Sequence, residues 1–359
     1  MTNVPGKILF LGGYSVLERG NPALSIAVFG EGGKGVEARA AIGKRRVRCP
    51  QFGLDFEPSL ENRELVNIAY LVAQKYLEER GEWRGDVEVE LENSPIFGSS
   101  DEKSGLGSSA AATVALIRGL FEAQGAEQQV EIVHKLAQYA HAIYQKKIGS
   151  GFDIATSAYG RTIEYCRYSP RSFSVSERLE DNLKDVGAIV QEKWDWLEVK
   201  PFEIASGYEI LFFNVRGGKT STVSSVRAVR KFMDEEPAAY AKIISAQAEA
   251  ERQALAALKA GDREKFRDFV HDAREAGRKL QDATSEIASD FTPIEPAALG
   301  RVIDEAEGLE GVVAGRCPGA GGWDGLAFLV EKGFSDWESI GAFGTQEGLV
   351  LHRVGLEIA

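Results

Sequence analysis

The chain has 359 residues, with 42 Lys and Arg against 54 Asp and Glu, which gives a formal net charge of −12. A composition of 44% hydrophobic and 27% charged residues is typical of globular proteins and excludes a disordered or collagen-like chain. The length predicts two domains, and the acidic balance argues against a nucleic-acid partner, because phosphate backbones require clustered Lys and Arg.

Other features of the composition exclude further classes. The basic run 44–48 lacks an adjacent aromatic platform and is interpreted as a solvated strand or turn. Cys49, Cys166 and Cys317 are odd in number and far apart, so neither a disulfide framework nor a structural zinc is expected. No apolar run approaches the ~18 residues of a membrane span, and the N-terminus lacks a signal peptide's apolar region. We therefore expect a cytoplasmic protein without a membrane partner.

In the first half of the chain, hydrophobic spacing predicts mixed strands and helices. Short apolar strands over 7–11 and 23–28 flank a turn at Gly12 and Gly13. Alternation over 86–91 predicts a half-buried strand. Apolar residues at helical spacing predict three helices, over 61–80, 108–124 and 127–147.

A second region begins near Trp194. It is predicted to contain strands over 208–215, 311–315, 326–330 and 349–354 and helices over 221–233, 237–259, 262–280 and 297–307. The polar stretch 168–185 is the best boundary candidate. We therefore predict an α+β protein with an N-terminal domain over 1–185 and a C-terminal domain over 186–359.

The strongest chemical motif is a glycine-rich loop over 103–111, directly before an Ala-rich helix. Its glycines expose consecutive backbone N–H groups, and a helix N-terminus adds about half a positive charge, so the loop is suited to a polyphosphate. Lys103 adds a full charge and Ser108 offers a hydroxyl to Mg²⁺. A glycine turn with a serine N-cap is an alternative interpretation.

Two further glycine-rich segments are candidate ligand-binding segments. In the first, Asp153 follows Gly149 and Gly151 and precedes small helical residues, so its carboxylate can approach a ligand closely; an Asp N-cap is the alternative. In the second, 319–325, the glycine density permits close backbone approach to a ligand, and a β-turn is the alternative.

Over nearly its whole length, the chain resembles the GHMP superfamily of small-molecule kinases. The segments 5–7, 103–111 and 319–324 resemble the three family motifs, and within the superfamily 12–18, 149–153, 194–195 and 321–324 resemble phosphomevalonate kinases. The resemblance implies an N-terminal domain like ribosomal protein S5 domain 2, a ferredoxin-like C-terminal domain and an active site in the cleft between them.

The resemblance also implies an activity: ATP-dependent phosphorylation of (R)-5-phosphomevalonate to (R)-5-diphosphomevalonate, a step of the mevalonate pathway of isoprenoid biosynthesis. Lys7 and Asp153 are the family's catalytic pair, and Asp153 is expected to hold the Lys7 ammonium rather than act as a base. The cofactors are ATP and Mg²⁺, with Ser108 as metal ligand. The ATP phosphates are expected on Lys103, Gly105, Leu106, Gly107, Ser108, Ser109 and Ala110.

The acceptor carries a carboxylate and a phosphate, so its pocket needs cations despite the acidic chain. Lys7 and Lys219 are the expected cations, with Arg316 as a further candidate. For Lys219 a solvated loop lysine, and for Tyr14 a structural role, are alternatives. The expected acceptor-binding residues are Tyr14, Ser15, Glu18, Ser150, Gly151, Lys219, Ser221, Gly321 and Gly322.

Two departures from the family pattern concern the phosphate loop and the metal. Asp101 stands where the family often has Pro, and 139–142 has no carboxylate where mevalonate kinases carry a Glu that helps to hold Mg²⁺. Alternative functions are a mevalonate kinase, another GHMP kinase, or a GHMP-fold protein that binds without turnover. The presence of both Lys7 and Asp153 argues against the last of these. The oligomeric state is not predicted.

Overall fold

The computed structural model describes residues 2–98, 104–146, 149–169, 171–218 and 220–359. The strands in these ranges are β1 (Thr2–Val4), β2 (Gly6–Leu11), β3 (Pro22–Gly30), β4 (Val36–Ile42), β5 (Arg46–Cys49), β6 (Leu54–Phe56), β7 (Val87–Asn93), β8 (Ile163–Cys166), β9 (Glu198–Pro201), β10 (Tyr208–Val215), β11 (Val312–Arg316), β12 (Gly325–Glu331), β13 (Leu351–Val354) and β14 (Leu356–Ile358). The helices are α1 (Leu65–Glu79), α2 (Ser108–Gln124), α3 (Val130–Gln145), α4 (Phe152–Tyr159), α5 (Leu179–Asn182), α6 (Val186–Gln191), α7 (Thr222–Glu235), α8 (Pro237–Ala260), α9 (Arg263–Ile287), α10 (Ala297–Ala306) and α11 (Trp337–Gln346).

The N-terminal half contains two sheets, which confirms the predicted α+β class. One has the order β1-β4-β7-β5-β6, and the other has the order β14-β3-β8-β9 with β2 paired to β3. Helix α2 packs against β4 and β7, with α1 and α3 beside it. Its Ala-rich sequence allows this close packing, because small side chains let helix and sheet approach.

The C-terminal half is built on a four-stranded antiparallel sheet with the order β11-β12-β10-β13. Alternate residues of β10 point to opposite faces of this sheet, as the strand period requires. Leu211 and Phe213 pack with residues of α10 and α11, whereas Ile210 and Phe212 join the main core with residues of α8 and α9. The sheet therefore lies between two helical layers.

The second sheet of the N-terminal half contains strands from both sides of residue 185. Strand β9 pairs with β8, and the last strand, β14, pairs with β3. These pairings assign residues 198–201 and 356–358 to the N-terminal sheet. The division of the chain into 1–185 and 186–359 stays a prediction, and the pairing of β9 favours a boundary closer to β10.

Three smaller features of the described ranges relate to the sequence analysis. The three cysteines are free and buried. The basic run contributes β5, where Arg46 pairs with Asp55 at 2.6 Å and Arg48 with Glu90 at 3.0 Å. These pairs are exposed and contribute little to stability, which fits a solvated strand. No described helix has both the length and the apolar character that a membrane crossing needs.

Candidate active site

The glycine-rich loop before α2 is attached to β2 through Lys7. The Lys7 backbone N–H donates to the Leu106 carbonyl at 2.8 Å, and its ammonium donates to the Gly105 carbonyl at 2.9 Å. Gly107 has φ +85, and a Cβ there would lie 3.1 Å from carbon atoms of the Lys7 side chain. Glycine is therefore required for Lys7 to lie across the loop.

Helices α2 and α4 both begin without a side-chain cap among the described residues. Their N-caps are Gly107 and Gly151, each in the left-handed conformation. The serine N-cap and the Asp N-cap, the two alternatives from the sequence, are therefore wrong. Ser108 is the first residue of α2, and Asp153 lies in the first turn of α4. Uncapped N–H groups at a helix start can bind anions.

Lys7 lies between these two helix starts. Its ammonium is 5.4 Å from the centre of the Phe152 ring, at the first residue of α4. Lys7 is half-buried, and the loss of solvent around it lowers the Lys7 pKa, while the charges of Asp153 and Asp324 raise it. A lysine held between a phosphate-binding loop and two carboxylates is suited to neutralising charge on a transferring phosphate.

Asp153 does not form a direct ion pair with Lys7. Its Oδ1 accepts from the backbone N–H of Ile154 at 2.9 Å, and the Lys7 ammonium donates to a carbonyl instead. The predicted partnership therefore differs in form: in this structure Asp153 acts on Lys7 through its charge rather than through contact.

Asp324 is a site residue that the sequence reasoning did not select. Its Oδ1 accepts from the Thr220 backbone N–H at 2.8 Å, and its Cβ would be 3.6 Å from a Cβ on Gly105. Burial raises the pKa of Asp324, and the hydrogen bonds from Thr220 oppose that rise. Its position as the only acid in the glycine segment 319–325 was the available signal.

The predicted acceptor residues near the β2–β3 turn are placed together but are mostly enclosed. Tyr14 is buried, and its hydroxyl donates to the Ala320 carbonyl at 3.2 Å. Ser15 is fully buried on a short 3-10 turn, Ser15–Leu17. Glu18 is half-buried and accepts from the Tyr240 hydroxyl at 2.9 Å. Burial raises the pKa of Tyr14, so its hydroxyl stays protonated.

The other predicted acceptor residues lie at helix starts and in the last glycine segment. The buried Ser150 precedes α4 and its carbonyl accepts from the Tyr165 hydroxyl at 2.7 Å. Ser221 caps α7 by accepting from the Ser224 N–H at 3.3 Å. The N–H groups of Gly321 and Gly322 donate to the carbonyls of Pro318 and Ile294. Both amides therefore already have acceptors within the protein, which differs from their predicted role in acceptor binding.

Two predicted cations, Lys103 and Lys219, lie outside the described residues. Arg316, the third candidate, is 6% exposed at the end of β11. Its guanidinium lies 3.7 Å from the fully buried Glu251 of α8. Burial lowers the Arg316 pKa and raises the Glu251 pKa, and each charge opposes the shift of the other.

A buried network joins this pair to the β2–β3 turn. The Ser15 hydroxyl forms hydrogen bonds with Glu251 and with the Gly12 carbonyl, the latter at 2.9 Å. A Cβ on Gly13 would be 3.5 Å from the Arg316 guanidinium. The network therefore fixes the turn relative to α8 and to the end of β11.

Replacing Ser15 with Ala is expected to lower the free energy of unfolding by about 2 kcal/mol, because a buried carboxylate loses a donor. Chemical denaturation monitored by circular dichroism measures the change. Ser339→Ala is the matched control, since the Ser339 hydroxyl donates to Asp336 at 2.7 Å in an exposed hydrogen bond. Equal effects of the two substitutions would contradict a stabilising role for the Ser15–Glu251 contact.

Comparison with known proteins finds relatives among the phosphomevalonate kinases. The family model for the GHMP kinases N terminal domain matches residues 67–161. The phosphomevalonate kinase of Gibberella zeae is 31% identical over 252 residues, which cover 66% of this chain and 55% of that protein. The chain thus spans just over half the length of the first curated relatives it matches. A Streptomyces phosphomevalonate kinase is 27% identical, and the match covers 94% of both chains.

Solved structures agree on the fold. A protein from Listeria innocua has a TM-score of 0.80 at 23% identity, covering 99% of this chain and 98% of that one. Streptococcus pneumoniae phosphomevalonate kinase, solved with phosphomevalonate and AMPPNP, has a TM-score of 0.75 at 17% identity and covers 100% and 99%. The chain has the α+β fold of these kinases, and its residues 67–161 match the family of GHMP kinase N-terminal domains.

Proposed function

We propose that the protein transfers the γ-phosphoryl group of ATP to the phosphate of (R)-5-phosphomevalonate, giving ADP and (R)-5-diphosphomevalonate. The observation that carries this proposal is the position of Lys7. Its ammonium lies on the Gly105 carbonyl, beside the uncapped start of α4 and within the fields of Asp153 and Asp324. The phosphomevalonate kinases among its relatives support the choice of acceptor.

In the proposed reaction, an oxygen of the acceptor phosphate attacks the γ-phosphorus. The bond from that phosphorus to the β,γ-bridging oxygen breaks, and ADP leaves with the electron pair. The acceptor phosphate has a second pKa near 6, so at pH 7 to 8 most of it has already lost that proton and needs no general base. Lys7 then supplies charge between the two phosphates, and the amides of the 105–108 loop align the nucleotide.

The residues present fit Mg²⁺ bound mainly by nucleotide phosphates. No group of three or more His, Cys, Asp or Glu side chains in the described ranges is arranged to hold a metal. Mg²⁺ commonly takes one or two protein ligands plus phosphates and water, and it neutralises phosphate charge when bound. Ser108, half-buried at the start of α2, and Asp324, near Gly105, are the protein groups proposed to hold it.

Ser108→Ala is expected to lower kcat by about tenfold and to raise the Mg²⁺ concentration needed for half-maximal rate, because one oxygen ligand is removed. Initial rates measured across a Mg²⁺ titration at saturating ATP provide the check. Ser285→Ala is the control, since Ser285 is exposed on α9 and lies outside the phosphate loop. An unchanged metal titration in Ser108→Ala would remove this serine from the metal site.

The function itself is tested by an ADP-release assay run side by side with mevalonate, 5-phosphomevalonate and homoserine. Turnover with 5-phosphomevalonate at a kcat/KM well above the other two is the expected result. Preference for mevalonate or homoserine would reassign the enzyme within the superfamily. No turnover with any of them, together with ATP binding by calorimetry, would favour a binding protein.

A further inference from the structure

Arg167 lies at the junction of two segments expected to face the acceptor. It follows β8, and on this strand Tyr165 donates its hydroxyl to the Ser150 carbonyl at 2.7 Å. Arg167 is two residues beyond Tyr165, just after the end of β8. Its Nη1 donates to the Leu17 carbonyl at 2.8 Å, at the end of the 3-10 turn. Arg167 thus contacts the turn that carries Ser15 and precedes Glu18, and it is close in the chain to the tyrosine that contacts the loop before α4.

The Arg167 side chain is buried with incomplete partners. The residue is 4% exposed, and its Nε has no hydrogen-bond partner in the part of the chain that the structure describes. No carboxylate of the described residues forms an ion pair with it. Burying a guanidinium in this state is costly unless a ligand supplies the missing acceptor.

The charge of a second guanidinium, that of Arg230 in the C-terminal half, interacts with that of Arg167. Arg230 lies on α7, the helix that Ser221 caps. Burial and the charge of Arg167 both lower the Arg230 pKa, whereas Glu18 is among the groups that raise it. Glu18 is itself bound to the Tyr240 hydroxyl. We call Arg167 and Arg230 the arginine pair; it brings two cations together from two parts of the fold.

The position of the arginine pair indicates which of the acceptor's two anionic groups, the phosphate or the carboxylate, it binds. The attacking phosphate must lie near Lys7 and the start of α4, since the transferred group is held there in the proposed function. Tyr165 contacts the Ser150 end of that region, and Arg167 lies two residues further along the chain, just after β8. Phosphomevalonate carries its carboxylate at the end of the carbon chain opposite its phosphate. Guanidinium forks match carboxylates in geometry and bind them through paired hydrogen bonds.

We propose that Arg167 and Arg230 together bind the carboxylate of the phosphorylated acceptor, and so select acceptors that carry a carboxylate remote from the attacking phosphate. This inference rests on the proposed function, and it assigns the cations to described residues rather than to Lys219. It also gives Glu18 and Tyr240 a role. The hydrogen bond from Tyr240 holds the Glu18 carboxylate, which acts on Arg230 through its charge and forms no ion pair with Arg167 in the described residues.

The experiment compares 5-phosphomevalonate with its C1 carboxamide, which has the same shape and no charge at that end. The wild-type protein is expected to prefer the acid by about a hundredfold in kcat/KM, because the amide carries no charge to attract the two guanidinium groups. Arg167→Gln and Arg230→Gln are each expected to raise the KM for phosphomevalonate at least about tenfold and to bring the acid-to-amide ratio towards one. The KM for ATP should stay within about twofold, since neither residue contacts the 105–110 loop.

Arg301→Gln is the matched control, because Arg301 is exposed and pairs with Glu347 away from the cleft. Arg167→Lys keeps the charge without the fork, and it is expected to recover part of the preference for the acid. Thermal unfolding of each variant separates loss of folding from loss of binding. If both Gln variants fold and keep the wild-type acid-to-amide ratio, the arginine pair does not bind the carboxylate.

Calorimetric binding of the acid and the amide, without nucleotide, separates this inference from the proposed function. Binding that favours the acid in the wild type, and is lost in the Gln variants, supports the arginine pair even if no phosphoryl transfer occurs. Turnover of phosphomevalonate with equal binding of acid and amide would overturn the arginine pair and leave the proposed function standing. Absence of both binding and turnover would overturn both.

Discussion

Lys7→Met is expected to lower kcat by about a thousandfold or more while the protein remains folded. The ammonium is the only cation that the described residues place against the 105–107 loop, through its bond to the Gly105 carbonyl. Charge that develops on a transferring phosphate inside a cleft is worth several kcal/mol to a preorganised donor. Met keeps the alkyl length that packs over Gly107, so the loop retains its support.

Single-turnover phosphoryl transfer with radiolabelled ATP measures this loss without interference from product release. Lys332→Met is the control, because Lys332 is exposed in the turn after β12 and should leave kcat unchanged. A Lys7→Met protein that keeps more than about a tenth of the wild-type rate would contradict the proposed role of the ammonium.

Regular elements with strong periodicity could be predicted closely from the sequence. The helix over 108–124 and the strand over 208–215 coincide with α2 and β10. Helix α9 runs to Ile287, beyond the predicted end at 280, because its polar last turns carry little periodic signal. Strands β8 and β9 were not predicted. Each has four residues, and their pairing with β3 and with each other depends on tertiary context.

The candidate site was predictable where chemistry depends on local sequence, and less so where it depends on packing. Gly105, Gly107 and Asp153 follow from glycine spacing and from the helices behind them. Asp324 lies just before β12 and Arg167 just after β8, and one sequence without the fold does not show which strand ends meet. The enclosure of Tyr14 likewise depends on α7 and α8 packing over it.

The pH dependence of the rate is expected to distinguish the roles of Lys7 and Asp153. Lys7 acts as an ammonium, so activity falls as pH rises through its pKa. Burial lowers that pKa from 10.5, and the negative charge of Asp153 is the larger of the two effects that oppose the lowering, with Asp324 second. The alkaline limb of the profile therefore reports on both carboxylates.

Asp153→Asn removes one of those negative charges, so the Lys7 pKa should fall further and the alkaline limb should move to lower pH. We expect kcat at neutral pH to fall by about a hundredfold, because the ammonium loses electrostatic support, and the profile around pH 7 to keep its shape. Asp324→Asn should move the alkaline limb in the same direction by less. Measuring kcat from pH 6 to 10 for the wild type and both variants tests these expectations.

Loss of an acid limb in Asp153→Asn, with the alkaline limb unmoved, would show instead that Asp153 takes a proton from the acceptor. A general base takes a proton from the attacking oxygen during the reaction, whereas a carboxylate that only stabilises the Lys7 ammonium takes none. The two roles of Asp153 therefore predict different pH profiles.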